Sequence, residues 1–233
     1  MGGSRAVSGG ATAQGGVGMP GSRESYLTMR AGAEAQGEFV DRKSRFIAQL
    51  VHVESEDEAN DFIAAVRARH YDARHNVPAW ILADGRERAS DDGEPSRTSG
   101  MPTLEVLRGA GMKDVCCVVT RYFGGTLLGS GGLVRAYTAA AQEAVASALD
   151  GGLAVEMTSV VRVHVPVPYA SYDQVLDIAE RAGAKVAGTD YAEAVTLHLV
   201  FRAGEEGAFL GRLDELMRGK STAVAEKPAF AEF

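Results

Sequence analysis

The sequence predicts an α+β protein made of two domains. Its 233 residues correspond to one large domain or two small ones, since domains usually contain roughly 100–200 residues. An alanine-rich helical segment ends at Gly151 and Gly152, and the pattern of elements changes there. Beyond this point, strand and helix patterns follow the ferredoxin-like order βαββαβ. We therefore expect an N-terminal domain at residues 23–150 and a ferredoxin-like C-terminal domain at residues 151–233.

The composition excludes several classes of protein. Hydrophobic residues make up 45% of the chain, which is enough for a core without stabilising disulfides or metals. The sequence has no stretch of about 18 apolar residues and no basic segment that leads into an apolar run. We therefore expect a cytoplasmic protein without membrane contact. Residues 1–22 contain eight glycines and three serines; we expect a flexible tail, because this segment has little apolar surface to bury.

The helices and strands of the N-terminal domain are predicted from the spacing of hydrophobic residues and from helix-capping residues. Apolar and polar residues alternate within residues 44–53, which predicts a strand. Ser55 and Glu58 form a capping box, which predicts that a helix begins there. The polar stretch at 83–102 has the length typical of a functional loop. The other predicted elements are a strand at 77–82, a short helix at 103–107, a fully apolar central strand at 115–120 and a helix from about 133 to 149.

The elements of the C-terminal domain are bounded by glycines, which commonly end helices. They are predicted as a strand at 160–165, a helix at 168–181, strands at 185–191 and 194–202, a helix at 205–217 and a strand at 221–226. No repeat relates this half of the chain to the first half.

A glycine-rich segment runs from Gly124 to Gly132, between a buried strand and a helix. Backbone N–H groups and the positive end of a helix can hold an anion at such a place. Arg121 and Arg135 flank the segment, and two guanidinium groups favour a phosphate or carboxylate ligand. Three known loop motifs do not fit this segment. A Walker A loop requires a lysine that is missing here, and a dinucleotide fingerprint and a nucleophile elbow each require a glycine that is missing. A tightly packed turn explains the glycines equally well.

Three carboxylates, Asp91, Asp92 and Glu94, lie in one polar loop. Paired carboxylates can transfer protons, but their spacing lacks the ligand ladder of a calcium loop. Alternatively, the loop is a solvent-exposed turn whose Asp side chains cap a neighbouring helix. His75 is a candidate general base, and a structural histidine at the start of a strand is the alternative.

The remaining histidines and the cysteines are expected to be structural. His52 and His198 fall in strand patterns, and no pair of residues has the HExxH or CxxC spacing of a zinc site. Cys116 and Cys117 are adjacent in an apolar strand, so buried, inert thiols and a reducing compartment are predicted. We expect no metal and no cofactor.

Four segments together resemble the YigZ/IMPACT family. They are KSRFI from Lys43, DARHNV from Asp72, SDDGEPSRTSGMP from Ser90 and RYFGGTLLGSGGLVRAY from Arg121. The resemblance covers about residues 37–228. It implies an N-terminal α/β sandwich similar to domain IV of elongation factor G, and a C-terminal ferredoxin-like domain similar to domain V of that factor.

The resemblance also implies a link to translation or the stress response. Bacterial members of the family have been proposed to bind nucleic acid or ribosomes, so RNA, the ribosome or another protein of the translation machinery is the expected partner. Residues 37–150 contain 13 basic and 17 acidic side chains, and residues 151–233 contain 8 and 12. Neither domain is basic overall, so any contact with RNA must depend on a local site.

The first hypothesis is therefore a binding protein with a site for a phosphate of RNA or of a nucleotide. The expected site residues are Arg45, Arg74, His75, Arg121, Tyr122, Gly124, Gly125, Gly129, Gly131, Gly132 and Arg135. Two alternatives stay open. One is a hydrolase that uses a carboxylate of the Asp91–Glu94 loop with His75, which requires both groups to reach a common cleft. The other is a protein-interaction module with an exposed apolar face.

Overall fold

A computed structural model describes residues 25–192 and 194–233, so the predicted tail at residues 1–22 lies outside the described residues. The strands are β1 (Tyr26–Met29), β2 (Glu34–Asp41), β3 (Ser44–His52), β4 (His75–Ile81), β5 (Glu87–Ala89), β6 (Val115–Tyr122), β7 (Ala154–Val167), β8 (Lys185–Tyr191), β9 (Val195–Arg202), β10 (Val224–Ala225) and β11 (Ala229–Glu232). The helices are α1 (Glu56–Arg69), α2 (Gly100–Gly109), α3 (Gly129–Asp150), α4 (Tyr172–Arg181) and α5 (Glu206–Leu216), with a 3₁₀ turn at Tyr169–Ser171.

The first sheet is antiparallel, with strand order β2-β3-β6-β4-β5. Its central strand, β6, is buried along almost its whole length, and its side chains alternate between two cores. Cys117 and Val119 face the core formed with α2 and α3, whereas Cys116 and Val118 face the core beneath α1. Burial raises the pKa of the Cys117 thiol to about 12.

Within the described residues, the second sheet has six strands, all antiparallel to their partners: β7, β9 and β8 follow in this order, and β1, β10 and β11 each pair with β7. Without β1 and β11, the strand order is β10-β7-β9-β8. This order is that of the predicted ferredoxin-like βαββαβ arrangement. Helices α4 and α5 cover one face, where Val163, Val165, Leu197 and Phe209 are fully buried. The opposite face carries His164 and His198 and has no helix over it in the described part of the chain. The two sheets and five helices formed by the described residues make the protein α+β, as predicted.

Strand β1 joins the second sheet although it precedes the first. Residues Tyr26–Met29 pair with Ala154–Met157 of β7, and Leu27 donates its N–H to the carbonyl of Gly111. The start of the predicted 23–150 domain is thus built into the sheet of the other domain. A boundary placed by a change of sequence pattern cannot reveal this pairing, because it joins residues more than 120 positions apart.

Several elements differ from their predicted limits. Helix α3 begins at Gly129 and not near 133, so the last glycines of the glycine-rich segment form its first turn. Strand β4 begins at His75, two residues before its predicted start, and α2 is a full helix of ten residues. Among the described residues, no helix has the length and apolar character needed to cross a membrane.

Helix α3 approaches the first sheet very closely at Gly37 on β2. A Cβ atom at Gly37 would lie 2.2 Å from the backbone nitrogen of Ala144, far inside van der Waals contact. The facing side of α3 consists largely of alanines that are completely buried, Ala136, Ala140, Ala141, Ala144 and Ala148. Small residues on both elements therefore set the distance between helix and sheet.

We predict that Gly37→Ala destabilises the protein by about 3 kcal/mol, because the clash involves backbone that cannot move without displacing α3. Gly211→Ala is the matched control: Gly211 lies within α5 with no atom within 4 Å of its Cβ position. That change should stabilise the protein by about 0.5–1 kcal/mol. Urea unfolding measures both variants. Equal stability of the two variants would contradict the close contact.

Candidate functional site

A cavity of about 320 Å³ lies where β4 and β6 approach the start of α3. Its polar lining is Arg74, His75, Glu94, Arg121 and Ser130. Its apolar lining is Pro95, Phe123, Leu127, Leu128 and Leu133, with Gly93 and Gly129 completing the wall. The cavity therefore brings together residues from three of the segments that the sequence analysis singled out.

A buried carboxylate connects the walls of this cavity. Glu94 Oε1 accepts a hydrogen bond from Arg121 Nη1 at 2.6 Å and another from the Tyr137 hydroxyl at 2.8 Å. The side chains of Arg121 and Glu94 are only 7% and 3% exposed. Burial, together with the charge of Glu94, raises the pKa of Tyr137 far above its ordinary value. The hydroxyl therefore stays protonated and remains a donor.

Arg121 keeps unused donors in this position. Its guanidinium carries five N–H groups, and within the described residues it makes one side-chain hydrogen bond, the one to Glu94. The Nε atom is buried without a partner. The guanidinium carbon lies 5.4 Å from the ring centre of Phe46 and 5.6 Å from that of Phe123. A buried donor without a partner costs about 1–3 kcal/mol, so an acceptor that reached Nε would be favoured.

His75 lines the same cavity. Its Nδ1 atom lies 2.7 Å from the backbone carbonyl oxygen of Asp92. A carbonyl oxygen only accepts, so Nδ1 carries a hydrogen and donates it to this oxygen. Nε2 lies 3.9 Å from Oε1 of Glu94. The hydrolase hypothesis required a carboxylate and His75 in one cleft, and Glu94 meets that geometric requirement.

Asp91 closes the loop that precedes α2. Its carboxylate accepts hydrogen bonds from the backbone N–H groups of Arg97, Ser99 and Gly100 and from the Ser99 hydroxyl, at 2.7–3.1 Å. Burial alone would raise the pKa of Asp91, but these hydrogen bonds outweigh it and lower the pKa. Asp91 does not line the cavity.

Asp92 fastens the same loop to the sheet. It accepts from the backbone N–H of Asn76 at 2.7 Å and from Arg67 Nη2 at 2.8 Å. Like Asp91, it lies outside the cavity. Of the three carboxylates singled out in the sequence, only Glu94 reaches the cavity.

The glycines of the segment have separate roles. A Cβ at Gly124 would lie 2.1 Å from the backbone of Lys43, so this glycine allows close packing on the β2–β3 turn. Gly129 has φ +69° and begins α3. Among the described residues, no side chain caps the first turn of α3, which leaves backbone donors at the edge of the cavity. The remaining glycines, which do not line the cavity, are Gly125, Gly131 and Gly132.

Arg74 and Arg135 lie near the glycine-rich segment. Neither forms a hydrogen bond or ion pair with any residue that the structure describes. Arg74 is exposed and lines the cavity. Arg135 is also exposed, and its Nη1 lies 3.7 Å from the place that a Cβ of Gly131 would occupy. It therefore covers the outside of the first turn of α3 and does not enter the cavity.

Arg45 and Tyr122 lie on the other face of the sheet. They are register partners, as are Phe46 and Arg121, and neighbouring residues in a strand point to opposite faces. Arg45 donates twice to Glu38, at 2.7 and 2.8 Å. The Tyr122 hydroxyl forms hydrogen bonds with His70 and Asp72. The structure thus separates these two residues from the rest of the predicted site.

Tyr137, which donates to Glu94, was not selected from the sequence. A tyrosine within a buried alanine-rich face needs a partner for its hydroxyl, and that signal was available from the sequence. The described residues contain no group of three or more His, Cys, Asp or Glu side chains arranged for a metal ion.

A second concavity bears on the interaction-module alternative. A shallow apolar groove of about 840 Å³ lies between α2 and α3, with Met101, Val134 and Leu149 among its lining residues. Val134 and Leu149 are both exposed. This groove is the surface that a partner protein would use under that alternative.

Comparisons with known proteins identify the family of this chain. The Impact N-terminal domain matches residues 42–145, and a domain of unknown function, DUF1949, matches residues 165–220. The IMPACT family member YvyE of Bacillus subtilis (strain 168) is 37% identical over 199 residues, which cover 84% of this chain and 89% of that protein. The IMPACT family member YigZ of Escherichia coli (strain K12) is 33% identical over 188 residues, covering 79% and 90%.

A solved structure described as that of an hypothetical protein is 32% identical, with a TM-score of 0.52, and covers 88% of this chain and 98% of its own. The α+β, two-domain protein described above belongs to the YigZ/IMPACT family. The resemblance found in the sequence motifs is thereby confirmed.

We predict that Tyr137→Phe lowers the free energy of unfolding by about 1–2 kcal/mol, because Glu94 loses one of two donors inside the protein. Tyr71→Phe is the matched control, since the Tyr71 side chain is 86% exposed and the same hydroxyl is removed there. Urea unfolding at neutral pH gives both values. The network described here is wrong if the two variants lose the same amount of stability.

Proposed function

We propose that the protein binds a phosphate group of RNA or of a nucleotide in the cavity beside the start of α3. The observation that carries this proposal is the buried guanidinium of Arg121, whose Nε donor has no partner in the part of the chain that the structure describes. An arginine edge with free donors favours an oxyanion, because two parallel N–H groups match two oxygens. The uncapped first turn of α3 adds backbone donors and a positive partial charge from the same side.

The local balance of charge supports an anionic ligand. Glu94 offsets Arg121, and Asp92 is paired with Arg67. Arg74 has no such counter-charge among the described residues, and it lines the cavity. The site is therefore locally positive on a chain whose formal net charge is −7. A small positive site on an acidic protein selects a ligand with few phosphates over a long nucleic-acid backbone.

The apolar wall supports a ligand with an apolar part as well as a charge. Phe123 is 43% exposed and Leu127 is 81% exposed, both beside the cavity. Exposed aromatic and aliphatic side chains can stack or pack on a nucleobase. A volume of about 320 Å³ is at the lower end for small-molecule sites. One nucleotide unit, free or at the end of a single strand, fits this description.

The wider role that we propose is a cytoplasmic one in translation or the stress response, with RNA, the ribosome or another protein of the translation machinery as partner. This part of the proposal rests on the similarity to domains IV and V of elongation factor G that the resemblance in the sequence motifs implies.

We predict that Arg74→Ala weakens binding of a 5′-phosphorylated RNA hexamer by about 1.5–3 kcal/mol, the scale of a hydrogen bond to a charged group. The melting temperature should not change, because Arg74 is exposed and makes no ion pair with the described residues. Fluorescence anisotropy gives the affinity. Raising the salt concentration should weaken binding with a log–log slope of only about 1–2, which corresponds to one or two phosphates.

The matched control is Arg212→Ala, which removes the same charge from an exposed position on α5. This variant should bind as the wild type does. Arg135→Ala should have a smaller effect than Arg74→Ala, because Arg135 lies outside the cavity. Equal losses for Arg74→Ala and Arg212→Ala would show that binding depends on net charge and would refute the site.

A second candidate function is hydrolysis of the bound ester, and the position of His75 beside Glu94 at the cavity favours it. With its Nδ1 proton held by the Asp92 carbonyl, His75 can accept a proton from an attacking water. The binding assay separates the candidates if released phosphate is measured in the same samples. Under the hydrolase hypothesis, His75→Gln abolishes release and leaves binding in place. Under the binding hypothesis, the wild type releases no phosphate.

A further inference from the structure

The outward side of helix α3 forms one wall of the apolar groove between α2 and α3. The groove residues of α3 recur every three or four positions, at Val134, Thr138, Gln142, Val145 and Leu149. This spacing keeps them on one side of the helix, over about 22 Å of its length. At the two ends of the row, Val134 and Leu149 are 37% and 49% exposed. A row of apolar side chains that ends in exposed residues is typical of an interaction surface.

The same side of α3 carries opposite charges at its two ends. Arg135 lies near the start of the helix, and Asp150 is its last residue. Both side chains are exposed, and neither forms an ion pair or hydrogen bond within residues 25–192 and 194–233. The C-terminal end of a helix carries a negative partial charge, which disfavours an anion there. A cation beside Asp150 would therefore be stabilising, and α3 has no basic residue in its last turn.

The row and the charges are both arranged about Gln142. Arg135 precedes Gln142 by seven residues, and Asp150 follows it by eight. Val134 precedes it by eight residues, and Leu149 follows it by seven. A surface that binds its own copy about a two-fold axis must be complementary to itself. This side of α3 meets that requirement, because each feature has its complement at the same distance on the other side of Gln142.

An antiparallel pair of α3 helices brings these complements together. With the two-fold axis beside Gln142, Arg135 of one copy lies opposite Asp150 of the second copy, and Val134 lies opposite Leu149. Each ion pair and each apolar contact then forms twice. A parallel pair would instead place Arg135 opposite Arg135, which is repulsive. The charges therefore select the antiparallel direction.

We propose that the groove between α2 and α3 binds a second copy of this chain, with the two α3 helices antiparallel about Gln142. The apolar row supplies the association, and Arg135 with Asp150 sets the direction. Within the part of the chain that the structure describes, the groove shares no lining residue with the cavity beside the start of α3. The dimer therefore stands or falls apart from the proposed function.

The other charged groups near the groove are compatible with this arrangement. Glu105 lines the groove from α2 and is paired there with Arg108. Arg97 also lines the groove, so it and Glu105 contribute opposite charges. Glu143 directly follows Gln142, and neighbouring residues in a helix point about 100° apart. Glu143 therefore lies at the flank of the contact and not at its centre.

The test is sedimentation velocity of the full chain over a range of micromolar concentrations. We expect the mass to rise with concentration to twice that of one chain. Leu149→Asp should stay monomeric, because a charge replaces an apolar contact that forms twice. Arg135→Glu and Asp150→Arg should each weaken the dimer by about tenfold, since each change removes two ion pairs and adds repulsion. The double variant with both changes restores opposite charges and should recover most of the wild-type affinity.

The matched control is Arg212→Glu, which reverses a charge at an exposed position on α5, outside the groove. This variant should dimerise as the wild type does, and circular dichroism checks that every variant is folded. Three results overturn the proposal. The wild type could stay monomeric at every concentration, Leu149→Asp could dimerise as the wild type does, or the double variant could dimerise no better than the two single variants.

Discussion

The candidate site depends on one buried carboxylate, that of Glu94. It lies between Arg121 of β6 and Tyr137 of α3, and its own loop leads from β5 to α2. An uncompensated charge in such a place costs several kcal/mol. The carboxylate is therefore stable only when sheet, loop and helix are all in position. The same contact holds Arg121 rigidly at the cavity wall and leaves its Nε donor free.

Close packing of α3 on the sheet makes this contact possible. The helix lies against β2 at Gly37, and the segment before it packs on the β2–β3 turn at Gly124. These two contacts fix where α3 begins, and so where its uncapped first turn meets the cavity. The sequence allowed two interpretations of these glycines, a packed turn or part of a ligand site, and different glycines fit each one. Gly124 allows close packing, whereas Gly129 begins the helix at the wall of the cavity.

The elements with strong local signals could be predicted from the sequence. The capping box at Ser55 placed α1, and the apolar run at 115–120 placed the central strand. The start of α3 was missed because glycines have poor helix propensity, and tertiary packing overrides it here. Strand β1 was missed because its partner, β7, is remote in sequence.

The site was predictable in part. Arg74, His75, Arg121 and Gly129 meet at the cavity. The alternation of side chains along a strand separates Arg121 from Tyr122, and this rule would have excluded Tyr122 had the strand been extended to it. The pairing of Arg121 with Glu94 joins residues 27 positions apart, and no local pattern predicts which carboxylate a buried arginine selects.

The Nε–Hε resonance of Arg121 is the most direct probe of the proposed phosphate site, because it reports on the donor that has no partner among the described residues. Adenosine monophosphate is titrated into the ¹⁵N-labelled protein, with adenosine as the control that lacks the phosphate. We expect a downfield proton shift of the Arg121 Hε that saturates with the monophosphate and is absent with adenosine. An Arg121 Nε–Hε resonance that stays unchanged while the monophosphate binds elsewhere on the protein would contradict the proposed phosphate site.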